Sequence, residues 1–464
     1  MTMPPRTTSS YPTLMVIALA TMTLSGCATL PPSGISGEPA LDVPTHWSFT
    51  APDGQGVVVG NWWHSFGDPT LNALVDAALD ANPDLAIAVA RLAQARALRS
   101  GVRAERRPKI DAVAGAERGR NSSAEPKTER TAVGLRATWE VDLFDRTTLA
   151  MRAAEDDAEG ALQALQAARI SLAADVSTAY LELRTLAQRL TLQREAIHIA
   201  QRQIEVSQHK LAAGHATSSD VEHRRRELAE KQATMTQLNG EYQMQLHRLS
   251  LLLGDGQVPQ LENLHLPIAS PAPPSLLLPV ELLERRPDVL HQAHALDAAL
   301  VRAGMARREV YPSLQIAWQR GKERIAQAGG SAAPQLVIGY GLSISLPLLD
   351  GGRIRTNIAI REAQVQEAMA VYEKALLEAL IDAETALTQW SMADESLLER
   401  QRAESAAAIA ARNATSLYEA GMADLELVLA AQLSHLHTRD ALAQAIGSHG
   451  VAAIGLRRAF AGEI

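Results

Sequence analysis

The chain has one cysteine, Cys27, in 464 residues. A single thiol forms no intrachain disulfide and cannot supply a Cys₄-type metal site. Aromatic residues are scarce as well, at 4%. Aromatics usually fill globular cores, so their scarcity favours thin helical layers packed by Leu and Ala. A basic surplus is missing, since the net charge is −8. Without that surplus phosphates are not neutralised, which argues against nucleic acid as a partner. There is no Walker-type phosphate loop, no HExxH and no dinucleotide fingerprint, so enzyme signals are absent. His435 and His437 are two apart and do not share a helix face. His291 and His294 do share one, but the sequence offers no further ligand, and no cofactor or metal is expected.

Proline is missing from 147–213 and from 353–420, and Gly160 is the only glycine in either stretch. Such runs predict two very long helices, Thr147–Ala213 and Arg353–Ala420, each with a return helix, Ser219–Leu253 and about Leu425–Phe460. In the first, Leu172, Val176, Ala179, Leu183, Leu186 and Leu190 step by four and three, with Leu165 one heptad earlier, the coiled-coil period. At 1.5 Å per residue each long helix spans about 100 Å.

What is present is one design stated twice. "NPDL" at Asn82–Leu85 returns as "RPDV" at Arg286–Val289, and Pro108 returns as Pro312 at the same offset. "LFD" at Leu143–Asp145 returns as "LLD" at Leu348–Asp350, and "LAAG" ending at Gly214 returns as "YEAG" ending at Gly421. Two copies of one unit are expected, 61–254 and 280–464, joined by a Pro-rich connector at 255–279. Each opens with an Ala-rich helix; the first begins near Asp68 and ends before Pro108.

Two alternating segments follow in each unit, Lys109–Arg120 with Thr131–Asp142 and Ser313–Arg320 with Gln335–Leu346. In the last, Leu336, Ile338, Tyr340, Leu342, Ile344 and Leu346 share one face, while Val337, Gly339, Gly341, Ser343 and Ser345 share the other. About ten residues of dyad repeat is the signature of a transmembrane β-strand. A soluble sandwich strand alternates in the same way. The polar stretches between the paired strands, "NSSAEPKTER" and "GKERIAQAGGSAA", read as exposed loops.

The N-terminus reads as a secretory signal over 1–26: Arg6, the apolar run Leu14–Ala20, then "LSGC" ending at Cys27. Seven apolar residues are too few to span a bilayer. "LSGC" resembles the bacterial lipobox, which implies a lipid on Cys27, and Ala28 in place of Asp favours the outer membrane. Residues 27–60 read as an extended, lipidated tether.

Four strands cannot span a membrane alone, because their edges leave backbone groups unpaired in lipid. The chain therefore pools strands with copies of itself or does not span. "NWWHSFGDPTLNALVDAALDANPDL", "LLERRPDV", "YPSL", "ISLPLLDGGRIR" and "YEAGMADLELVLAAQ" closely resemble the outer-membrane factors of tripartite efflux systems, in the NodT-like lipoprotein branch related to TolC and OprM. The resemblance implies a mainly α fold with a transmembrane β-barrel portion, in a homotrimer. Each protomer would give four strands to a twelve-stranded barrel and its hairpins to a periplasmic α-barrel. It implies a passive exit duct for small toxic compounds in the bacterial outer membrane. Its partners would be a periplasmic adaptor protein and an inner-membrane pump, commonly of the resistance-nodulation-division type. A protein-secretion duct and a structural coiled-coil lipoprotein are the alternatives.

On that reading the hairpin tips, at Gly214 and Gly421, close the tube and meet the adaptor. Asp220, Glu222, Asp424 and Glu426 are the gate candidates, as rings of carboxylates under threefold symmetry. The same acids also suit helix N-caps and first turns. Arg224, Arg225 and Arg226 suit tip salt bridges or a solvated face. Relatives commonly carry an Asp in "LLDAQ"; this chain has "VLAAQ", with Ala430 there and Glu426 one turn earlier. Glu426→Ala is expected to raise ion conductance.

Overall fold

A computed structural model describes residues 43–47, 60–119, 127–254, 277–327 and 332–460, with isolated positions 256, 261, 264 and 330. Cys27, the signal segment, most of the tether and most of the Pro-rich connector lie outside the described residues.

A 3₁₀ turn at Trp62–Phe66 leads into α1, Pro69–Ala81, and α2, Pro83–Glu105. The expected single helix is thus two. Pro83 cannot continue a helix hydrogen-bond ladder, and Asn82 in extended backbone caps the new start by accepting from Asp84 N and Leu85 N. Its amide also donates to the Leu252 carbonyl at 2.9 Å, which fixes the break against the return helix.

The strands are β1, Lys109–Gly119, β2, Thr128–Val141, β3, Ser313–Gln327, and β4, Gln335–Ser345. They form one antiparallel sheet in the order β1-β2-β3-β4, so β2 of the first unit pairs with β3 of the second. The outer edges, of β1 and β4, have no partner strand among the described residues. β3 runs past the expected end at Arg320, through the charged stretch read as loop. Glu323 of this stretch pairs with Arg130 of β2, and Arg118 of β1 pairs with Glu129 of β2, so the sheet extends beyond its apolar band. The apolar face is bare: Leu336, Ile338, Leu342 and Ile344 are exposed and Tyr340 is 90% exposed. No helix among the described residues is long and apolar enough to cross a membrane.

Gly134 and Gly321 are cross-strand partners in the middle of the β2–β3 seam. A Cβ at Gly134 would lie 2.6 Å from the Arg320 carbonyl oxygen, and one at Gly321 would lie 2.5 Å from the Val133 carbonyl oxygen. Backbone meets backbone here, so nothing flexible can yield. In the trimer that the resemblance implies, Gly321→Val is expected to abolish the heat-resistant oligomer on detergent gels while leaving the helical circular dichroism signal largely intact. An unaltered oligomer would show that the sheet tolerates a side chain at this crossing.

The long helices are α3, Arg146–Ala212, and α7, Arg353–Glu419, each of 67 residues. Their return helices are α4, Ser218–Leu253, and α8, Leu425–Phe460, each of 36. Between the units lie the short α5, Pro279–Leu283, and α6, Pro287–Arg307. The core is thin and Leu/Ala-rich, as the scarcity of aromatics requires. Trp62, Trp63 and Phe66 join Leu183 and Leu249 in one cluster; Leu387, Trp390, Leu456 and Phe460 form another. Trp47, in the stretch read as tether, packs edge-on against Phe460 and donates its indole N–H to the Leu277 carbonyl at 2.7 Å.

Asp68 is a half-buried charge that pairs with buried Arg184. One oxygen caps α1 by accepting from Thr70 N and Leu71 N. The other accepts from the Tyr180 hydroxyl at 2.9 Å and pairs with Arg184. Burial first, and the bond to Asp68 second, push Tyr180 up to about 12, so it stays a donor.

Candidate functional site: the hairpin tips

Each hairpin turns on a glycine in the left-handed region, Gly214 at φ 78° and Gly421 at φ 74°. The turns are the same motif. His215 N donates to the Lys210 carbonyl at 2.8 Å and Met422 N donates to the Leu417 carbonyl at 2.8 Å. These six-residue closures are Schellman caps, which need positive φ at one position.

The two tips belong to different repeats, yet charge joins them. Lys210, in the last turn of α3, places its ammonium 3.1 Å from Asp424 and 2.6 Å from Glu426. Arg224, in α4, donates to the other Glu426 oxygen at 2.7 Å and to Glu227 at 3.0 Å. Both oxygens of Glu426 are therefore held by the first hairpin. These side chains are only partly exposed, which strengthens the pairs relative to open surface ones. Hydrogen bonds from Lys210, then from Arg224, hold the Glu426 carboxyl below its usual range. In return Glu426, then Asp424, raise Lys210.

The other candidates are placed differently. Asp220 closes a capping box, accepting from Thr217 N and Oγ1, both at 2.8 Å, and that bonding lowers its carboxyl. Asp424 also caps, accepting from Leu427 N at 3.0 Å. Glu222 pairs with Arg225 at 2.7 Å within α4, and Arg226 pairs with Glu230 there too. Of the arginine triplet, Arg224 alone reaches the second hairpin among the described contacts.

Lys210 was not singled out in the sequence. A base in a last turn reads as matched to the helix dipole. Its partners lie more than 200 positions away, where periodicity carries no information. Farther from the tips, α3 and α8 are tied again by Arg189–Asp440 at 2.9 Å and Arg439–Glu195 at 3.1 Å.

The arrangement holds two turns together by ionic contacts and carries no nucleophile–base pair. Charge pairs of this kind can be opened without unfolding either helix. A sheet with a bare apolar face and two open edges stands at the other end of the helices.

Comparison with known proteins agrees with these features. The chain is 30% identical to the outer membrane protein OprJ of Pseudomonas aeruginosa over 96% of its own length and 94% of that protein. It is 26% identical to the nodulation protein T of Rhizobium leguminosarum, over 93% and 90%. The outer-membrane channel OprN superposes with a TM-score of 0.77 at 29% identity, covering 94% of this chain and 98% of that one. None of these relatives favours a protein-secretion duct or a structural spacer. The sequence profile described as outer membrane efflux protein matches residues 74–255 and 278–462, and the chain belongs to that family.

Proposed function

We propose that three copies of this chain assemble into the outer-membrane duct of an efflux system, closed at rest by the hairpin tips. The observation that carries this is the four-stranded sheet with two unpaired edges and an uncovered apolar face. In lipid, each unpaired backbone group costs several kcal/mol, and closing the sheet on copies of itself removes the edges. Three sheets give twelve strands, within the range of bacterial barrels. The helices then line up below as a second tube, with their tips farthest from the membrane.

In this assembly the chain performs no covalent chemistry. Cys27 carries a lipid that anchors the N-terminus in the outer membrane. The tips at Gly214 and Gly421 meet a periplasmic adaptor, and through it an inner-membrane pump of the resistance-nodulation-division type. Relatives carry names as different as cation efflux system protein and pyoverdine export outer membrane protein. A wide passive duct is compatible with that range, the pump choosing the cargo.

The test is physical. The lipidated protein, purified in mild detergent, is expected to scatter light as a trimer and to give small, discrete currents in planar bilayers. A folded single subunit without current would overturn the proposal. Cys27→Ser is expected to lose label from radioactive palmitate while keeping the trimer.

A further inference from the structure

A second cluster of ionisable groups lies far from the tips. Asp156 is on α3, and His294 and Asp297 are one turn apart on α6; one ligand atom from each falls within 4.8 Å of the other two. His294 Nδ1 is shielded from solvent and holds no hydrogen bond. It faces Asp156 Oδ1 at 3.9 Å, too long for one. No described Arg or Lys forms an ion pair with Asp156 or Asp297, whereas neighbouring Asp157 is taken by Arg302. Burial, then the charge of Asp297, raises the Asp156 carboxyl. Arg152, one turn earlier on α3, offsets part of that charge from a distance, and the cluster itself holds two carboxylates and an imidazole nitrogen with no hydrogen bond.

We propose that Asp156, His294 and Asp297 form a site for a divalent transition-metal ion of the zinc class, bridging α3 to α6. One imidazole nitrogen with two carboxylate oxygens suits zinc or manganese. Magnesium and calcium prefer oxygen alone, and soft monovalent ions prefer sulfur. Bonds of about 2.0–2.2 Å draw the three atoms together by side-chain rotation, and water completes the shell on the exposed Asp297 side.

The sole glycine inside α3 supports the placement. A Cβ at Gly160 would lie 3.4 Å from His291 Nδ1 and 3.4 Å from His294 Cβ. Those are contact distances, so α3 and α6 pack closely beside the cluster. His291 Nδ1 donates to the Gly160 carbonyl at 2.8 Å, and His291 is not among the three residues whose ligand atoms converge. Asp156 lies ten residues after Arg146 and Asp297 ten before Arg307, so both sit about 15 Å along their helices from the ends nearest the sheet. Helix α3 leaves β2 and α6 enters β3, so the ion ties the two repeats just below the β2–β3 seam.

The test uses full-length, tag-free protein in detergent, stripped by chelator and titrated with zinc chloride in a calorimeter. About one zinc per chain is expected, unaffected by equal magnesium. His294→Ala and Asp297→Asn should each weaken binding by roughly a hundredfold, while His291→Ala should not. Zinc should also raise the melting temperature of the parent protein and of His291→Ala only. Binding unchanged in His294→Ala and Asp297→Asn, or no binding by the parent, would overturn the proposal. Asp297 is exposed, so its variant folds even if the half-buried His294 proves structural.

Discussion

The Lys210→Ala/Arg224→Ala double variant should conduct far more current than the parent. Both cations that the first hairpin extends to Glu426 are then gone. A partly exposed pair is worth up to about 1 kcal/mol. If each protomer loses about 1 kcal/mol, a trimer loses about 3 kcal/mol, which moves the closed-to-open ratio by roughly a hundredfold. Glu426→Ala should move it in the same direction, because it removes the shared anion. Arg225→Ala is the control: its partner Glu222 is on the same helix, so conductance should not change.

Acid and base should mimic the double variant. Glu426 sits below its ordinary 4.5, so its contribution is complete above 4.5 and is lost as pH falls through the lowered value. Lys210 sits above its ordinary 10.5, so its contribution is complete below 10.5 and is lost as pH rises through the raised value. Conductance should be flat between 4.5 and 10.5 and should rise outside that window. A current that rises between pH 6 and 8 would assign the closure to histidines.

Asp68→Ala should be the most destabilising single change described here. Asp68 is 15% exposed and Arg184 is 6% exposed at the side chain, so the pair is screened little by water. Deleting one partner of a buried pair costs about 3–5 kcal/mol. The lost cap on α1 adds about 1 kcal/mol. Asp68→Asn should cost less, because its carbonyl oxygen can still cap while only the charge is lost. Urea unfolding in detergent, followed by tryptophan fluorescence, reports both, since Trp62 and Trp63 pack in the same cluster. A loss under about 1 kcal/mol for the Ala variant would mean that Arg184 finds comparable compensation without Asp68.

Much of this was legible because the chain repeats its pattern. Alternation at Leu336, Ile338, Tyr340, Leu342 and Ile344 marked β4 with its bare face. Freedom from proline marked α3 and α7 to within a residue or two at each end. The break at Asn82 was written in "NPDL", an Asn cap before a Pro, but the apolar spacing runs through it and suggested one helix. The far end of β3 was hidden by its charges, since Arg130 and Glu323 pair only once the strands are side by side. Lys210 and Asp156 were hidden for a related reason. Their partners are on other helices, and spacing along one helix says nothing about neighbours on another.

The β2–β3 pairing also fixes the order in which the molecule can be built. The whole of α3 and α4, and the connector after them, must be made before Ser313 can meet its neighbours. Closing so long a loop is entropically slow, and sheets built from distant segments form late. Insertion into the bilayer therefore waits for a nearly finished polypeptide, and the periplasm must shelter the apolar strands until then.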